Sequence, residues 1–179
     1  MSEPAFRVID GGRAPYGWEQ LWARDEWRGS ELPHGDLSGG LGEETILRFE
    51  GLEPPWIKEA ARRWARARLL AATAPQSMKG YLSELRAFSH WLLEHAPPPT
   101  LATPAAITRE LLTDYVLFVR TSRLAPATQQ RRIGVLRAFI AEQRHDGLAG
   151  LAHEAVIHAA EIPSVDYRLP RQLEPDIFE

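Results

Sequence analysis

Apolar positions recur at helical spacing through the middle of the chain and lose that period near its start. After Pro54-Pro55, residues Ile57, Ala60, Ala61, Trp64, Ala67 and Ala71 share one face, and Lys58, Arg62 and Arg66 stripe the other. A second helix is expected from Pro75, a residue suited to a first helical turn, until Pro97-Pro98-Pro99 stops it. Its apolar face is Tyr81, Leu82, Leu85, Phe88 and Leu92, opposite Lys79, Ser83, Arg86 and His90. A third is expected after Thr108, whose hydroxyl can cap the first amides. It would bury Leu111, Leu112, Tyr115, Phe118 and Val119 and turn Glu110 and Asp114 outward. A fourth runs from Pro126 to about Asp146 with Gly147 as its stop, burying Ile133, Leu136, Phe139 and Ile140. Gln130, Arg131, Gly134, Arg137, Ala138 and Ala141 would project from it. A shorter helix is expected over 149–160, and Pro163, Pro170 and Pro175 mark an extended tail.

Residues 1–53 differ in texture. They hold nine of the thirteen glycines, and their one periodic stretch is Gly17–Trp22, where Trp18, Leu21 and Trp22 would share a helical face. Gly39-Gly40-Leu41-Gly42 reads as a loop and Thr45–Phe49 as a short extended piece. Such a segment is expected to drape over the helices through its tryptophans rather than fold alone. No strand-like alternation follows residue 50, so the pattern gives an all-α bundle of four principal helices behind an irregular extension.

Composition narrows the function classes. No apolar run is long enough for a transmembrane span, and the first residues lack the basic and apolar regions of a signal peptide. The absence of cysteine excludes disulfides and thiolate-held zinc, and leaves a cytoplasmic setting as the expectation. The net charge of -3 hides a partition. Residues 1–56 carry five Arg against eleven acids, residues 57–146 fourteen Lys and Arg against seven, and residues 147–179 two Arg against six. A basic middle between acidic ends suits a polyanionic partner, though charge alone fits an ordinary solvated surface better.

Catalytic and metal motifs are wanting. His153-Glu154-Ala155-Val156-Ile157-His158 resembles a helical zinc motif with one residue too many, and five steps turn the second histidine about 140° off the first. There is no Gly-x-Ser-x-Gly elbow and no phosphate-binding Gly-x-x-x-x-Gly-Lys loop. The pairs Asp25-Glu26 and Glu43-Glu44 read as solvated charge. No metal, cofactor or catalytic set is therefore expected. The sharper signal is the pair of basic helix faces: Lys79, Ser83 and Arg86 at i, i+4 and i+7, and Arg131 and Arg137 on either side of Gly134. Cationic donors around small residues let a helix approach a phosphate backbone or a major groove.

The succession of helices resembles the N-terminal, core-binding half of tyrosine recombinases, the phage-integrase family, and within it the transposase-type site-specific integrases of mobile elements. Met78–Leu92 is similar to that family's T-x-x-x-Y-x-x-x-L-x-x-F-x-x-W/F-L helix, with Ser77-Met78 where a Thr is usual. Ile107–Tyr115 is similar to I-T-x-x-x-L-x-x-Y/F, and Arg131–Phe139 to R-x-L-S-x-L-R-x-F, with Gly134 in place of Ser. Leu169-Pro170-Arg171-Gln172-Leu173 resembles the L-P-R/K-x-L junction that leads into the catalytic domain, and Phe49–Leu69 resembles the transposase-type subgroup. The likeness covers about residues 45–175.

The resemblance implies a four-helix core-binding (SAM-like) domain at 54–162, an N-terminal extension at 1–53, and a linker at 163–179 toward a catalytic domain not carried here. It implies that the chain binds duplex DNA at recombination sites for DNA integration or transposition, alongside other recombinase protomers, and takes no cofactor. The basic helix faces then give the expected DNA contacts as Lys79, Ser83, Arg86, Gln130, Arg131 and Arg137, with Arg62 and Arg66 secondary. The family's Arg, Lys, His-x-x-Arg and Tyr set is not matched: none of the six histidines precedes an Arg by three residues, and Tyr167 stands in the linker. The chain alone is thus expected not to cut DNA. The alternative is an all-α protein–protein interaction module without DNA binding.

Overall fold

The computed structural model describes residues 17–33, 44–96 and 100–164. These are mostly helical, with five α-helices and one two-stranded sheet among them. In chain order come α1 (Trp18–Trp22), β1 (Glu26–Arg28), β2 (Ile46–Arg48), α2 (Pro55–Leu70), α3 (Pro75–His95), α4 (Arg109–Thr121) and α5 (Pro126–His145). The strands pair antiparallel, with Trp27 opposite Leu47. The extended piece expected at 45–49 is β2, whereas β1 is too short to show a period in the sequence.

Prolines and local caps set the helix limits. Pro55, Pro75 and Pro126 each stand in a first turn, where the missing N–H costs no intrahelical bond. Thr108 caps α4 as expected, its Oγ1 accepting the Leu111 amide at 3.2 Å. Ser89, wholly buried on α3, bonds both the amide and the carbonyl of Glu53 and so fixes the chain where it turns into α2. The α5 stop falls at Gly147, with φ 70°. The Leu148 amide bonds back to the Gln143 carbonyl at 2.9 Å and the Gly147 amide to Arg144 at 3.2 Å, a Schellman ending.

The core is continuous from Leu21 to Ile157. Helix α3 lies at its centre, packed on α2, α5 and β2, while α4 packs on α5. Trp64, Phe88, Tyr115 and Phe139 fill the bundle, with Trp64 edge-on to Phe139 at 5.4 Å and Phe88 edge-on to Tyr115 at 4.9 Å. The described part of the N-terminal segment, 17–33 and 44–53, lies on the helices through its tryptophans. Trp27 is fully buried 4.6 Å from the Phe49 ring and donates to the Leu21 carbonyl at 2.7 Å. Trp22 donates to Glu59 of α2 at 3.0 Å.

Three expectations are corrected. On α2, Ala67 and Ala71 are exposed and Ala65 and Leu69 are buried instead, because the helix ends at Leu70 and its buried stripe runs round toward Ala65. On α4 the buried stripe is Leu112, Tyr115, Val116 and Val119, which leaves Phe118 at its edge, 45% exposed. The helix expected over 149–160 does not form. Gly150 takes φ 87°, outside the helical region, and two carbonyls accept from guanidinium groups instead: Arg109 bonds Val156 at 2.6 Å and Arg137 bonds Ile157 at 3.1 Å. The segment instead lies along the bundle, burying Ala155 and Ile157 and closing with a 3₁₀ turn at Ala159–Glu161. The Gly39–Gly42 loop, Tyr167 and the 169–173 junction lie outside the described residues.

Candidate nucleic-acid interface

Helices α3 and α5 run side by side, and a groove opens between them toward α2. One part, about 510 Å³, is lined by Gln76, Lys79, Tyr81, Ser83 and Arg131 among others. The adjoining part, about 280 Å³, is lined by Trp64, Arg68, Gly134 and Ala138 and shares Tyr81 and Arg131 with the first. The floor is aromatic, Tyr81 stacked on Trp64 at 5.7 Å. Three cations line these two parts and no carboxylate does, among the described residues.

The cations differ in how they are held. Lys79 is exposed, and the structure gives it no ion pair among the described residues. Arg68 pairs with Glu142 at 2.9 Å, a carboxylate that also accepts from Trp64 Nε1. Arg131 is anchored yet 60% exposed. Its Nε donates to Glu84 Oε1 at 2.8 Å and its Nη2 reaches the same oxygen, while Arg132 Nε takes the other oxygen at 2.9 Å. Glu84 itself is buried, its side chain 3% exposed.

Of the residues singled out from the sequence, Lys79, Ser83 and Arg131 come together here. The others are placed elsewhere. Arg86 turns toward the N-terminal segment, donating to the Glu50 carbonyl at 3.0 Å and the Arg48 carbonyl at 2.9 Å. Gln130, half-buried, and Arg137, on the Ile157 carbonyl, sit roughly 100–120° round α5 from Arg131. Arg62 is 14% exposed, bound to Asp25 at 2.7 Å and to the Arg24 carbonyl at 3.1 Å. Arg66 lies over the Trp18 ring at 5.4 Å. Glu110 and Asp114 are exposed on α4, as the pattern indicated.

Sequence reasoning missed Arg68, Gln76 and the anchor Glu84. The signal for Glu84 was an acid set inside the apolar stripe of α3, with adjacent arginines, Arg131 and Arg132, on a helix packed against it. Gly134 is not forced by crowding: a Cβ there meets nothing within 4 Å. The groove therefore has room for a ligand backbone to come close.

Chemically, the arrangement can bind anions. Ser83 is exposed, and no base is bonded to it among the described residues. Among the described residues no three His, Asp or Glu side chains converge on a metal position, and His153 and His158 are both exposed. No described helix is long and apolar enough to cross a membrane. No family model matches the chain, and no curated protein and no solved structure matches it.

Proposed function

We propose that the chain is the DNA-binding, core-binding-type helical portion of a tyrosine recombinase, holding duplex DNA at a recombination site with the α3–α5 groove against the phosphate backbone. The observation that carries this reading is the groove: Lys79, Arg68 and Arg131 with Ser83 and Gln76, and no carboxylate in its walls. Phosphate contacts from Lys, Arg and hydroxyl groups position a protein on a duplex. The four long helices in the order the resemblance requires support the same reading. Strand cleavage is not part of it, because the residues of the family's catalytic set are not matched in this sequence. A second reading, a protein-interaction module, draws on the exposed apolar rim of α4, where Leu117 is 60% and Phe118 45% exposed.

Fluorescence anisotropy with a labelled duplex tests the first reading. Lys79→Ala should weaken binding, and Glu110→Ala with Asp114→Ala should leave it unchanged or slightly tighter. A Lys79→Ala chain that binds as the parent does would remove the groove from the account.

A further inference from the structure

The geometry points to Glu84 as a positioning residue of the groove, acting through Arg131; this rests on the duplex-DNA reading above. A carboxylate beneath a basic groove should oppose a phosphate there, yet this one is buried and turned away from the groove walls. Its side chain is 3% exposed, and both oxygens are filled from α5, one by Nε and Nη2 of Arg131 and one by Nε of Arg132. Two guanidinium groups on one carboxylate leave the cluster with a net positive charge. That pairing uses one edge of the Arg131 guanidinium and leaves Nη1 without a partner among the described residues. The side chain remains 60% exposed and lines both parts of the groove.

An arginine free in solvent must lose its rotamer freedom when it meets a phosphate. One whose Nε edge is already clamped has lost much of it in the fold. Glu84 thus sets the phosphate affinity of Arg131 by ordering it in advance, at the cost of placing a negative charge nearby. Position and charge predict opposite signs, which makes the role measurable.

The test is duplex binding by the full chain across a salt series, for the parent, Glu84→Gln, Arg131→Ala and the double variant, with helicity and melting followed for each. Charge alone predicts that Glu84→Gln binds more tightly, since it adds one net positive charge. Positioning predicts about fivefold weaker binding with the salt slope kept, because Arg131 still reaches a phosphate but must be ordered on binding. In the Arg131→Ala background Glu84→Gln should cost nothing, whereas a general loosening of the fold would cost the same in both backgrounds. Arg131→Lys guards against a fold that tolerates Glu84→Gln poorly. It keeps the charge, loses the clamped edge, and should weaken binding by a similar factor that does not add to that of Glu84→Gln. A parent with salt-sensitive binding and a Glu84→Gln variant that binds as well or better overturns this inference alone. A parent with no salt-sensitive binding overturns the DNA reading and the inference with it.

Discussion

Asp25 and Arg62 join the acidic start of the chain to its basic middle: Asp25 Oδ1 lies 2.7 Å from Arg62 Nη2, and Lys58 Nζ reaches the same oxygen at 3.3 Å. Part of the charge partition in the sequence is therefore satisfied within the molecule. The Lys58–Arg62 stripe, which looks like a polyanion-binding face on a helical wheel, lies under the chain's own N-terminal segment. The cations left on the α3–α5 side carry the proposed function instead.

Asp25→Ala should loosen that segment. The carboxylate is half exposed, so the loss expected is about 0.5–1 kcal/mol, shrinking in high salt. Urea unfolding followed by tryptophan emission, to which buried Trp27, Trp64 and Trp91 all contribute, measures it. No change at low salt would mean that the pair contributes nothing to docking.

The endings of α2 and α5 offer an internal comparison. Ala72, with φ 62°, holds the position after α2 that Gly147 holds after α5, and the Thr73 and Ala72 amides bond back to Arg68 and Leu69 as in a Schellman motif. A left-handed backbone costs an L-residue roughly 1–2 kcal/mol and glycine almost nothing. Ala72→Gly should therefore stabilise the fold by about 0.5–1 kcal/mol, and Gly147→Ala should destabilise it by about 1 kcal/mol or more. Melting temperatures of the two variants should move in opposite directions; a shared direction contradicts the assignment.

Tyr115 is 1% exposed, its hydroxyl finds no hydrogen-bond partner among the described residues, and burial pushes its phenol pKa upward. An unpaired buried hydroxyl is a cost to the fold. Tyr115→Phe should be neutral or stabilising by up to about 1 kcal/mol in denaturant unfolding. A loss beyond 1 kcal/mol would reveal a partner for that oxygen.

The segment that follows α5 should respond to acid. Burial works against the ionised form of Glu161, but bonds from Arg109 and the His158 amide outweigh it and hold the carboxyl below its usual range. A carboxyl that titrates lower in the fold than in the unfolded chain stabilises the fold above the unfolded value. That contribution fades as pH drops through the folded value. Against Glu161→Gln, the parent should be more stable at pH 7 by at most about 1 kcal/mol after solvent screening, and the gap should begin to narrow as pH falls below about 4. A gap that does not narrow at all across that acid titration would tie it to shape rather than charge.

The four long helices were legible because proline, Thr108 and Gly147 punctuate runs that keep some apolar residues at helical spacing. What failed did so for tertiary reasons. The 149–160 stretch has helix-forming residues, but Arg109 and Arg137 compete for its carbonyls, and no local pattern announces that. Arg62 and Arg86 sit on polar faces by period, yet partners far along the chain, Asp25 and the Arg48 and Glu50 carbonyls, claim them. Lys79 and Ser83 were legible as groove residues because nothing distant covers them. Arg131 was legible as a cation, but its anchor on Glu84 was not.

The most direct measurement is the salt dependence of duplex binding by the whole chain and by a Lys79→Ala, Arg131→Ala variant of unchanged helicity. Each phosphate contact releases counterions and contributes about 0.9 to the slope of log K against log salt. The account predicts measurable affinity at low ionic strength that falls steeply with salt, and a slope about two units shallower in the variant. A parent whose binding is absent at low salt, or a variant with the same affinity and slope as the parent, would contradict it.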